Sequence, residues 1–306
     1  MDKNRKIRSL SDLGAAFGIQ ARNMDSLGNT TRMTSKTLNT TCTPNMGWLF
    51  YKDYFRNVRF DYVLDDDQKQ IKAENARIIK EKNRKLIEKT KLVVINDGLG
   101  IPDQKIEVQV CYPGLITGTG ITHEAGIEGE FKLGLHFDYT YGMPVIHGSS
   151  VKGLLRSVFP KGIKDKYAKA KLDYLIKLLN DKFSLVADQK MIKQIEDEIF
   201  EGKKSNGTRI DIYHRDIFFD AIVVKPDYQG RIVESDAITP HNKNPLKNPV
   251  PIPFLKISPG CTIQFRFDLK KGEVLDIHQK WEFFQEILKT LGIGAKTNVG
   301  YGQFEP

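Results

Sequence analysis

The sequence predicts an α+β fold, a sheet with helices packed behind it. Two strands are legible by alternation. Ile106, Val108, Val110 and Tyr112 mark a strand over 105–112, and Ile263, Phe265, Phe267 and Leu269 mark a half-buried one over 261–269. Two helices are legible by period. Val151, Leu154, Leu155 and Val158 recur at i, i+3, i+4 and i+7, and Ile277, Trp281, Phe284, Ile287, Leu288 and Leu291 form a second apolar face.

The chain has 306 residues, enough for one large domain or two small ones, and its apolar share of 40% supports a real core. A net charge of +9 points to an anionic partner, nucleic acid foremost; the plain alternative is a basic soluble protein. Three dispersed cysteines, Cys42, Cys111 and Cys261, argue against a disulfide framework and against a zinc knuckle. No apolar run approaches the length of a membrane span, and no h-region follows the charged start. The expectation is a cytoplasmic protein with no membrane association.

Taken in order, residues 1–46 are polar and basic, with Lys3, Arg5, Lys6 and Arg8 at the start. They read either as an arm that orders against a partner or as a frayed terminus. Residues 47–64 are dense in aromatics, among them Trp48, Phe50, Tyr51, Tyr54 and Phe55, which reads as packing on a core or, less simply, on a neighbouring subunit. Asp65, Asp66 and Asp67 then open a long helix to about Leu92, acidic at its positive end. Ile71, Ile78, Ile79, Leu86 and Ile87 give it a narrow apolar stripe; the lysines and arginines elsewhere read as a solvated face or as an RNA contact. The first domain unit is therefore 1–100: arm, aromatic segment and long helix.

The second is 101–306. After the 105–112 strand comes a loop ending Gly118-Thr119-Gly120, which lacks the following helix that a dinucleotide fingerprint needs. Residues 121–141 read as a hairpin or loop; His123, Glu124, His136 and Asp138 fit no standard metal spacing. Gly142 and Pro144 make a turn, Val145 and Ile146 an extended run, and Gly148 breaks it. Ser149 or Ser150 then caps a helix that Pro160 ends, with Gly153 inside it. Lys152 and Arg156, four apart, share a second face. A helix N-terminus with two hydroxyls and two cations is suited to an anion. Two amphipathic, lysine-rich helices, about 164–181 and 187–201, form a helical insertion at about 161–205. A buried strand at 216–224 follows, and the proline-rich 240–253 cannot be a central strand. Asp276 caps the last helix and Gly292 ends it. Beyond lies a loop holding Gly294, Lys296, Thr297, Gly300, Tyr301 and Gly302. Its backbone can approach a phosphate, and Tyr301 offers a ring to a base. A short end strand runs through Phe304. Strand, helix, strands, helix, strand is the order of a ferredoxin-like βαββαβ unit, an RRM-like sheet with two helices behind it.

Two of these stretches carry a resemblance. Gly142-Met143-Pro144-Val145-Ile146-His147-Gly148-Ser149-Ser150-Val151-Lys152-Gly153-Leu154-Leu155-Arg156 and the loop from Gly292 to Gly302 resemble the signature of the CRISPR RAMP superfamily, apart from His147, where proline is usual. Asp236-Ala237-Ile238-Thr239-Pro240-His241-Asn242 and Asn248-Pro249-Val250-Pro251-Ile252-Pro253-Phe254-Leu255 resemble one branch, the terminal RAMP of the type III-B (Cmr) effector complex. The resemblance covers roughly 100–306. It implies a ferredoxin-like RAMP core and an RNA interface on Gly118, Thr119, Gly120, Gly148, Ser149, Ser150, Lys152, Gly153, Arg156, Gly294, Lys296, Thr297, Gly300, Tyr301 and Gly302. Its implied partners are crRNA, target RNA and the other Cmr subunits: the backbone RAMP, the small helical subunit and the second terminal RAMP.

No Ser-His-Asp order and no P-loop is present. His214 with Arg215 and Asp216 reads as an acid–base cluster or, more simply, as surface. In the sister backbone RAMP an aspartate cuts target RNA; counting back from Gly142 by that family's spacing reaches Lys132. The resemblance therefore implies a non-catalytic RNA-binding subunit without metal or cofactor. The alternatives are a RAMP endoribonuclease that uses His123 or His136, and a scaffold subunit without RNA contact.

Overall fold

The computed structural model describes residues 44–60, 68–93, 104–118, 123–161, 165–239 and 251–305, all within one compact unit. The basic arm, Asp65–Asp67, Thr119, Gly120 and the Thr-Pro-His segment from Pro240 lie outside the described residues.

The main sheet contains β1 (Gln104–Gln109), β2 (Val145–Ile146), β3 (Ile217–Phe218), β4 (Ala221–Lys225) and β7 (Thr262–Asp268). Its order is β1-β7-β4-β2, antiparallel at every pairing, with β3 also on β7. Phe304 bridges to Val110 beyond β1, so the segment after the last helix lies beside the first strand. That is the arrangement a βαββαβ unit requires. Behind the sheet are α2 (Gly148–Ser157) and α5 (Ile277–Leu291). Asp276 caps α5 in a reciprocal box with Gln279, and Gly292 ends it. The insertion consists of α3 (Ala168–Phe183) and α4 (Gln189–Glu196), the latter running on as a π turn, Asp197–Glu201. The long helix α1 spans Gln68–Glu88. Phe50, Tyr54, Ile79 and Leu86 join the same apolar core as Phe265, Phe267, Phe283 and Phe284. Among the described residues no helix is long and apolar enough to cross a membrane.

Four expectations are corrected. The first strand ends before Tyr112, which is exposed, because the chain turns at Pro113. The 216–224 run is two strands, broken at Phe219-Asp220. β7 is buried on both faces: Gln264 is held by Glu107 at 2.9 Å, and Arg266 donates to the Asp220 carbonyl at 3.3 Å. Neither serine caps α2; His147 holds the N-cap position without a side-chain bond, and Gly148 is the first helical residue. A hairpin of β5 (Val233–Ile238) and β6 (Ile252–Ile257) was not foreseen, although β6 contains Pro253.

Candidate nucleic-acid interface

Three stretches far apart in sequence meet in one place. The loop after β1 is joined by backbone bonds to β6 and to the C-terminal loop. Leu115 N donates to the Ile257 carbonyl at 3.1 Å, Ala295 N to Ile116 at 2.9 Å and Gly302 N to Gly114 at 2.8 Å. Thr117 and Gly118 from one loop, Ser150 and Leu154 from α2, and Ile293, Gly294 and Ala295 from the other line a cleft of about 370 Å³. His136 and Ile146 complete its wall.

The glycines of the C-terminal loop are not equivalent. Gly302 has φ of 67°, and a Cβ there would run into the Ile293 carbonyl. A side chain at Gly294 would meet the Ile116 carbonyl in the same way. Both therefore let the loops close on each other. Gly300 has φ of 100° and a Cβ there would meet only Pro113 Cδ, at 3.5 Å. Lys296 is left-handed too, at φ 60°, and exposed; Thr297 begins a short 3-10 turn and accepts from Gln303 Nε2 at 3.3 Å. A non-glycine residue held there is uncommon.

At the start of α2 the anion position is already taken. Gly148 N donates to Asp220 Oδ1 at 2.7 Å, so the fold's own carboxylate faces the helix dipole. His147 Nδ1 lies 3.5 Å from the other Asp220 oxygen, and its ring centroid is 4.7 Å from that of His136. Burial lowers the His136 pKa, and the neighbouring His147 pushes it the same way. Ser149, Ser150 and Gly153 are exposed. Lys152 is half-buried with its ammonium 5.6 Å from the Phe218 ring centroid. Arg156 turns toward the insertion, pairing with Glu196 at 3.1 Å and with Glu201.

Tyr301 is also engaged. Its hydroxyl donates to Asp236 at 2.8 Å, and its ring meets Phe254 edge-on with centroids 6.1 Å apart. Lys256, only 4% exposed, anchors this corner. Its ammonium donates to the Pro113 carbonyl at 2.6 Å and to Asp236 at 2.8 Å, and Glu234 lies at 3.1 Å. One buried cation thus joins the β1 loop, the hairpin and, through Asp236, Tyr301. Burial raises the Asp236 carboxyl, but hydrogen bonds from Lys256 and Tyr301 bring it below its ordinary value. Burial, reinforced by Asp236, pushes the Tyr301 phenol up to about 12. Asp220 and Lys256 were missed in the sequence. Each is a lone charge in an apolar run, Phe218-Phe219-Asp220-Ala221 and Phe254-Leu255-Lys256-Ile257, and that was the available signal.

The remaining histidines are elsewhere. His123 stacks on Phe50 with centroids 4.3 Å apart and is walled by Tyr54 and Phe55, and burial lowers its pKa. His214 is exposed and faces Asp211 at 3.8 Å, while Asp216 turns to Lys280. The two are therefore not an acid–base pair. Among the described residues no His, Cys, Asp and Glu group could hold a metal ion.

The chain is 24% identical over 221 residues to the CRISPR system Cmr subunit Cmr6 of Pyrococcus furiosus, covering 58% of this chain and 62% of that protein. It therefore spans less than two thirds of this curated relative. It shares its fold with a chain of a type III-B Cmr-beta complex bound to cognate target RNA, at TM-score 0.51 and 18% identity, over 85% of this chain and 87% of that one. The crystal structure of Cmr6 from Pyrococcus furiosus aligns at TM-score 0.32 and 22% identity, over 65% of this chain and 96% of that one. The RAMP superfamily model matches residues 107–305, well over half of the sequence, and the chain belongs to that superfamily.

Proposed function

We propose that this RAMP protein is a non-catalytic RNA-binding subunit of a type III-B CRISPR effector complex in the cytoplasm, holding the crRNA 3′ region and the guide–target duplex in antiviral defence. One observation carries the reading: the loop after β1, the start of α2 and the C-terminal glycine-rich loop converge on one cleft. The exposed Lys296 beside it and the net charge of +9 supply attraction for phosphates. The likeness to Cmr6 and to a Cmr-beta chain supports the choice of complex and of the backbone RAMP, small helical subunit and second terminal RAMP as neighbours.

The absence of a nuclease role is part of the proposal. Lys132, where the sister subunit has aspartate, sits in a backbone seam, donating to Pro253 at 2.9 Å and accepting from His123 N at 3.0 Å. The nearby carboxylates are engaged locally: Glu130 takes the Ile127 N–H at 3.1 Å and Asp138 the Thr140 N–H at 2.7 Å. The test is RNA binding by the purified chain across a salt series, followed by incubation of guide and target RNA with and without Mg²⁺. Salt-dependent binding with intact RNA is expected; no binding, or cleavage, overturns it.

A second reading, a metal-independent endoribonuclease acting on repeat RNA, is favoured by one feature. His136 lies on the cleft wall, shifted toward its neutral, proton-accepting form, with His147 and Asp220 behind it. Cleavage that disappears in His136→Ala would establish that reading.

A further inference from the structure

The glycine-rich loops adjoin the Thr262 end of β7, where Val110 N meets the Cys261 carbonyl. Off the other end, beyond Asp268, lies a second cleft of about 680 Å³. Its seven-residue strand sets the two apart by roughly 20 Å. Six lysines and arginines line this second cleft against four carboxylates.

The carboxylates are committed inside the fold. Asp216 takes the Lys280 ammonium at 2.8 Å and the Lys270 N–H at 2.7 Å. Glu198 takes the Glu273 N–H at 3.0 Å, and Glu273 takes the Ser205 N–H at 3.0 Å. Asp211 caps the Ile212–His214 turn through the Tyr213 N–H at 2.9 Å. On the cationic side, Lys280 is buried and Lys270 is paired with Asp268. Lys204, Arg209 and Lys271 are different. All three are exposed, and among the described residues none forms an ion pair. The turn bordering the cleft carries Tyr213, 83% exposed, and Ile212, 67% exposed.

Unpaired cations beside a solvent-facing ring match a single nucleic-acid strand, whose phosphates take the charges while a base takes the ring. Arg209 and Tyr213 would also suit a protein interface, but the two unpaired lysines do not, since interface cores are depleted in lysine. We propose that this cleft is a second RNA site, taking backbone phosphates on Lys204, Arg209 and Lys271 and stacking a base on Tyr213. The proposal rests on the RNA-binding reading above. An RNA longer than the strand reaches both clefts.

The test uses the full chain and a labelled oligouridine, with anisotropy read over a potassium chloride series. Three substitutions together, Lys204→Gln, Arg209→Gln and Lys271→Gln, weaken binding about tenfold or more and lower the salt slope by about 2. Tyr213→Ala weakens binding about fivefold or more, with the slope unchanged. Melting stays at the wild-type temperature in both, since these side chains are exposed. If the triple variant keeps wild-type affinity and slope while Lys296→Ala lowers both, the second site is overturned and the first stands. If the wild-type chain does not bind oligouridine, the RNA reading fails and takes this one with it; if it binds and neither variant changes binding, the second site is overturned. A triple variant that binds oligouridine normally but no longer joins its protein neighbours also overturns it.

Discussion

The start of α2 and the C-terminal loop carry the same ingredients in sequence: glycines, hydroxyls and cations. In the fold they part ways. At α2 the fold supplies inward partners: Asp220 for the helix end, Phe218 for Lys152, Glu196 and Glu201 for Arg156. In the C-terminal loop Gly294, Gly302 and Tyr301 serve closure, and Lys296 remains exposed. A motif's polar residues divide according to what the rest of the chain places beside them. Spacing alone does not reveal that division.

The largest expected effect tests the anchored side of the contrast. Lys256→Met leaves Asp236 and Glu234 without their buried cation and costs about 3–5 kcal/mol, read by urea unfolding. RNA binding falls with it, since the two loops lose their common tie. An unchanged unfolding curve would mean that the C-terminal loop holds itself.

Next come two glycines that sharpen the comparison within one loop. Gly302→Val adds a clash with Ile293 to a left-handed strain of about 1–2 kcal/mol, so its melting temperature falls further than that of Gly300→Val. Gly300→Val carries the strain but little clash, and it lowers crRNA retention in the assembled complex more than it lowers assembly. Equal melting temperatures would erase the distinction.

The Asp236–Tyr301 contact gives a pH signature. The folded Asp236 value is lowered, so its contribution is present above the unfolded value near pH 3.9 and is lost as pH falls through the folded one. Tyr301 is raised to about 12, so its contribution is present below about pH 10 and is lost as pH rises toward 12. Tyr301→Phe makes the alkaline limb shallower, the rest being kept by Tyr54 and Cys261, whose burial also raises them, and it costs about 1 kcal/mol at pH 7. A melting curve from pH 9 to 12 that is the same in both proteins would refute the link.

The smallest stability effects separate the two cations. Arg156→Ala loses about 1 kcal/mol through its partly exposed pairs and leaves the RNA salt slope alone. Lys296→Ala changes stability by less than about 0.5 kcal/mol and lowers that slope by about 0.7. The reverse pattern would exchange their assigned roles.

What was legible in the sequence was local. Asp276 and Gly292 mark α5 correctly because a cap is decided by neighbours within one turn. The α2 apolar face was legible for the same reason, with Val151 and Leu155 fully buried. The β5–β6 hairpin escaped because the prolines through Pro253 exclude a central strand, and the alternation does not mark a two-stranded hairpin, in which Pro253 pairs with Ala237. The alternation of Ile263, Phe265, Phe267 and Leu269 spells a half-buried strand for β7, with Gln264 and Arg266 on the other face. Their partners, Glu107 and Asp220, come from other strands and turns, and alternation contains no record of them.

The closure of the cleft also sets an order in time. Gly114 pairs with Gly302 and Ile116 with Ala295, so one wall comes from early in the RAMP domain and the other from the end of the last helix onward. During synthesis the early loop emerges with its carbonyls unpaired and waits for nearly the whole domain to follow. Such distant pairing is slow to form. This cleft is therefore among the last parts of the molecule to exist, and a nascent or truncated chain lacking residue 302 has no closed cleft to present.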